Sequence, residues 1–78
     1  MDTSLLDEVR RGRRLPPPAQ AKAIRREAGL SQERLAAVLG VHRVTVARWE
    51  DGVRKPRGPL RAAYADLLAG LARELGWA

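Results

Sequence analysis

Two arginines five residues apart, Arg43 and Arg48, stand in the run VHRVTVARWE. A guanidinium offers a rigid fork of donors that matches guanine O6 and N7, a contact worth about 1–3 kcal/mol of discrimination against a wrong base. On a helix turning about 100° per residue, Arg43, Val44, Ala47, Arg48 and Asp51 share one broad face. Val46, Trp49 and Thr45 share the opposite one. The first face is therefore left over once the second packs inward. Val44 and Ala47 on it could meet a thymine methyl. The alternative for both arginines is a contact with phosphate or solvent.

A face of this kind needs a scaffold, and the run from Ser31 to Gly52 supplies its signals. It reads as two short helices joined by a tight turn. Ser31 stands as N-cap of the first, with Glu33 in its positive first turn. Leu35, Ala36 and Leu39 point inward, with Val38 partly so. Ala36 is small where two crossing helices approach most closely, and Gly40 suits the positive φ of the turn. Val41 plugs the space beneath it. The second helix runs from about Arg43 to Asp51, with His42 at its cap and Gly52 as its stop.

The flanking segments complete the chain. A helix from Pro18 or just after it to Ala28 carries Ala21, Ile24 and Ala28 as a buried stripe, and Gly29 ends it. The basic loop VRKPRGP follows Gly52. A last helix begins near Pro59 or Leu60, with Leu60, Tyr64, Leu67, Leu68 and Leu71 as its stripe. Gly70 weakens it and Gly76 ends its extension. Residues 1–17 form an N-terminal arm distinct from a domain over 18–78. In the arm, Ser4 and Asp7 could cap a short helix bearing Leu5, Leu6 and Val9. Arg10, Arg11, Arg13 and Arg14 cluster behind it, and Pro16–Pro18 make a spacer. The arm is either flexible or docked by its small apolar face.

Composition excludes most other chemistry. Seventy-eight residues make one small domain. Without cysteine there is neither disulfide nor thiolate site, and one histidine cannot hold a metal or run a triad. No cofactor is expected, and nothing points to an enzyme. The formal charge of +6 favours an acidic partner, nucleic acid first among them. All but two of the fifteen basic residues are arginine. No apolar run nears the ~20 residues that span a bilayer. The start MDTSLLDEVRR is not a signal peptide, so a cytoplasmic location is expected.

The run GLSQERLAAVLGVHRVTVARWEDGVRKP resembles the helix-turn-helix of the Cro/C1-type (XRE-like) regulators. Gly29, Leu30, Ser31, Gln32, Leu35, Ala36, Leu39, Gly40, Val41, Val46, Trp49, Glu50, Gly52 and Pro56 carry the likeness, which covers roughly residues 20–70. It implies an all-α, lambda-repressor-like bundle of four to five helices and a regulator that binds double-stranded DNA. It also implies base readers at Arg43, Val44 and Arg48, with His42 and Ala47 at the margin. Gln32, at the positive start of its helix, would meet a phosphate while its side chain steadies a reader. Arg54, Lys55 and Arg57 fall where the family runs beside the DNA backbone. Arg25 and Glu50 fall where the family has a partly buried ion pair.

Two positions depart from the family. Asp51 replaces a neutral residue, commonly asparagine, and would repel phosphate unless Arg48 or Arg54 screens it. His42 replaces a serine or threonine cap, leaving a modest cap or a contact to phosphate or base. One such domain offers few base contacts, so a homodimer on a palindrome is expected, with half-sites about 34–36 Å apart. Leu67, Leu71, Leu75 and Trp77 are the candidate self-association surface, because Trp77 is hard to bury within one copy; the alternative is that it packs onto its own helix. An antitoxin that also binds a toxin protein is the alternative, and a protein-interaction module without DNA binding is a third reading.

Overall fold

The sequence signals for helix ends decide where the chain turns. The computed structural model describes residues 15–77, so the expected arm helix and the arginine cluster before Leu15 lie outside the described residues. Four helices follow in order: α1 (Pro18–Glu27), α2 (Gln32–Leu39), α3 (Arg43–Glu50) and α4 (Gly58–Glu74). There is no strand among the described residues. The architecture is that of the all-α, lambda-repressor-like fold. No described helix is long and apolar enough to cross a membrane.

All four helices close in the same way. An amide two or three residues past each helix bonds back to the carbonyl five residues earlier, as in Val41 to Ala36 (2.9 Å) and Val53 to Arg48 (3.0 Å). The geometry needs a left-handed residue between. Gly40 supplies it at φ 71°, in the turn that sets α2 against α3. The starts differ. Ser31 Oγ accepts the Arg34 amide (3.0 Å) and His42 Nδ1 accepts the Val44 amide (3.2 Å). Neither α1 nor α4 has a side-chain cap. Both instead begin at proline or beside it, where a missing N–H costs nothing.

Ala21, Ile24, Leu35, Ala36, Val46, Trp49, Tyr64 and Leu68 form one core, two from each helix. Ala36, 2% exposed, lets α2 and α3 approach closely. The Trp49 and Tyr64 rings meet at 4.8 Å between centroids, tilted by 38°. The rings are thus in direct contact, at a tilt between the offset-stacked and edge-to-face arrangements.

Several expectations need correction. Helix α3 ends at Glu50, with Asp51 closing it rather than lying within it. Helix α4 begins at Gly58, because the Arg61 amide reaches the Arg57 carbonyl (3.4 Å) and draws Pro59 into the first turn. It also runs unbroken through Gly70 to Glu74. Leu60 is exposed rather than part of the buried stripe, and Val38 is exposed rather than partly inward. Trp77 does find cover within one copy. It packs against the core with Leu67, Leu71 and Leu75, and its indole Nε1 donates to Glu27 Oε2 on α1 (2.7 Å). The surface expected to pair two copies is thus partly consumed by the monomer.

Candidate nucleic-acid interface

Core packing fixes which side of α3 stays open. Val46 and Trp49 face inward and are buried, and Glu50 is buried beside them. Arg43 and Arg48 are exposed, as is Asp51, while Val44 and Ala47 are half-buried between them. Thr45, grouped with the inward face on the helical wheel, sits at its edge. It is half-buried and walls an open groove of about 840 Å³ beside α3. The loop after Gly52 folds back to form the other wall, which a helical wheel of α3 alone could not show.

A chain of polar contacts ties the open face to the core. Arg25 on α1 donates from Nε to Glu50 Oε2 (2.6 Å) and from Nη2 to Oε1 (3.0 Å). Its remaining nitrogen, Nη1, donates to the Leu30 carbonyl (2.8 Å). Gln32 at the start of α2 donates from Nε2 to Glu50 Oε1 (3.0 Å). Because that carboxylate only accepts, the Gln32 amide must turn its oxygen outward. There it accepts from Arg43 Nη1 (3.3 Å). Four side chains from three helices are thereby ordered in a line that ends at an exposed guanidinium.

Charge placement follows from this line. Burial alone would raise the Glu50 carboxyl, but hydrogen bonds from Arg25 and Gln32 and the Arg25 charge outweigh it and hold the group below its usual range. The Arg25 guanidinium, bonded to Glu50, is correspondingly raised against its own desolvation. Breaking the pair from one side would strand a buried charge. The Leu30 carbonyl was missed in the sequence, since no side chain marks it. The signal available was Gly29, which turns the chain and swings that carbonyl towards Arg25.

The other candidate contacts are less bound. Arg48, Arg54, Lys55 and Arg57 are exposed, and their side chains make no hydrogen bond or ion pair to a described residue. All four line the open groove, and among the described residues no carboxylate does. Asp51 forms no ion pair with Arg48 or Arg54. His42 is exposed, and because its Nδ1 accepts from Val44 the imidazole carries its proton on Nε2, which faces away from the cap as a free donor. Next to Ser31, the Gln32 and Glu33 amides have no intrahelical partner, as at any helix start. These groups together make a surface rich in N–H donors, with Asp51 and Glu33 as exposed acidic side chains near them.

Comparison with known proteins adds one positive finding. A family model for helix-turn-helix domains of the Cro/C1 type matches residues 22–76. No match was found among curated proteins or among solved structures.

Proposed function

The chain belongs to the Cro/C1-type helix-turn-helix family of DNA-binding transcription regulators, and from that membership we propose a sequence-specific repressor that acts as a dimer on a palindromic operator. Helix α3 enters the major groove. Arg43 and Arg48 read guanines, and Val44 and Ala47 meet thymine methyls between them. Gln32, His42, Arg54, Lys55 and Arg57 hold the phosphates on either side. Repression follows from occupancy, since a protein lying on the operator excludes polymerase.

The observation that carries this reading is the line from Arg25 to Arg43. A buried ion pair orients an amide, and the amide orients an exposed guanidinium on the open face. Such positioning has no use on a surface that only meets solvent. The dimer follows from reach. An eight-residue helix is about 12 Å long, enough for a few base pairs, so specific affinity needs a second copy one helical turn away.

Selection of bound duplexes from a random pool tests the reading directly. The enriched sites should be inverted repeats with guanine in each half. If one half-site neutralises four phosphates, log K should fall by roughly 3.6 per tenfold rise in salt for that half. Arg48→Ala should relax preference at one base pair, whereas Arg57→Ala should weaken all duplexes alike. Equal losses on every sequence for both variants would remove the assignment of readers.

A further inference from the structure

The segment before α1, the loop after Gly52 and residues of α1, α3 and α4 together line a cavity of about 320 Å³. Its walls include Pro16, Pro18, Trp49 and Tyr64. Arg54, Lys55 and Arg61 also line it, and among the described residues no carboxylate does. The volume sits at the small end of ligand pockets, and flat walls of proline and aromatic rings suit a flat apolar ring. Three cations without a counter-charge suit one anionic group. Tyr64 adds an independent mark. Its hydroxyl is buried and is the one buried side-chain polar atom without a partner among the described residues. Buried polar groups are seldom left so without a reason.

We propose that this cavity binds a small aromatic monocarboxylate and that its occupation weakens duplex binding. The ring lies against Trp49 and the prolines, and the carboxylate is held by Arg61 with Arg54 and Lys55. The second half of the proposal rests on the DNA-binding reading above. Arg54 and Lys55 line both the cavity and the open groove beside α3. A carboxylate that draws them inward withdraws two cations from the phosphates.

The test uses the full chain without DNA, titrated with sodium benzoate at constant ionic strength and followed by amide and indole NMR. Saturable shifts are expected at the Trp49 indole and the Gly52 amide. Benzyl alcohol, the same ring without charge, and inorganic phosphate, charge without a ring, should each bind at least about tenfold more weakly. Arg61→Gln should weaken benzoate by a similar factor. No saturable shift with benzoate, or equal binding of either control compound, overturns the site. Because these comparisons use the unaltered chain, they decide the matter even if Arg61→Gln does not fold. If Arg61→Gln folds and binds benzoate unchanged, the site is likewise overturned. With DNA present, saturating benzoate should lower duplex affinity about threefold or more in the unaltered chain and not in Arg61→Gln. Unchanged affinity overturns the regulatory half alone. A chain that binds no duplex under any condition defeats the functional reading, while the benzoate titration still decides the cavity.

Discussion

The two ends of α3 present the same side chain in opposite states. Arg43 at the first turn is held by Gln32, and through it by Glu50 and Arg25. Arg48, more than a turn later, is exposed and makes no contact of that kind. Both face outward, but only the first is oriented before a partner arrives. An ordered side chain loses its conformational entropy on folding, and a free one loses about 0.5–1.5 kcal/mol of it on binding. The first should therefore discriminate by geometry, with a fixed direction to its base. The second can follow the base, or leave it for a phosphate.

The largest effect that could break this contrast is on stability. Glu50→Ala should lower unfolding free energy by about 3–5 kcal/mol, because it strands the buried Arg25 charge and frees Gln32. Urea denaturation measures it, and a loss under 1 kcal/mol would show that the line from Arg25 to Arg43 is not what holds Arg43. The pH dependence has a definite sign. Glu50 has a folded-state pKa below its unfolded one, so its contribution is present above the unfolded value and drains away as pH falls through the folded one. An acid titration of stability should lose this component in Glu50→Gln.

Next comes specificity. Gln32→Ala should reproduce part of the Arg43→Ala phenotype, relaxing preference at the Arg43 base pair by up to about 1–3 kcal/mol while leaving the Arg48 position untouched. Binding measured on duplexes altered at one base pair at a time resolves the two. If Gln32→Ala instead weakens every duplex equally, Gln32 acts only through phosphate and the two arginines are alike.

The smallest effect concerns Tyr64. Burial pushes its hydroxyl up to about 12, with the nearby Glu50 charge adding to this and Arg25 opposing it. The folded chain thus keeps this proton where the unfolded chain, near 10, has lost it. Stability from this group is complete below pH 10 and disappears as pH rises through about 12. Because the hydroxyl has no partner, Tyr64→Phe should be neutral or slightly stabilising at pH 7. It should also lose less stability than the unaltered chain between pH 10 and 12, as thermal melts across that range would show.

Much of the fold was legible in the chain. Gly29, Gly40 and Gly52 mark stops by a local rule and the caps at Ser31 and His42 mark starts, and each is satisfied within a few residues. The spacing of Leu35, Ala36, Val46 and Trp49 declares one inward face per helix by periodicity alone. Two places where sequence reasoning slipped depend on distant neighbours. Leu60 fits a helical stripe but is exposed, and Trp77, expected to be hard to bury within one copy, packs against the core. Neither outcome follows from spacing within α4. Each depends on where α1 and the loop after Gly52 lie.

Local stereochemistry and periodicity, both written in the amino-acid order, determined that four helices form, where they stop, and which side of each turns inward. Three-dimensional packing alone decided that a glutamine on α2 would stand between a buried carboxylate on α3 and an outward arginine of the same helix. It also decided that the proline segment would roof a cavity beside Trp49. The physical reason is range. Caps and turns are closed by groups two to five residues apart, whereas Arg25 and Glu50 meet across 25 residues and Trp77 and Glu27 across 50.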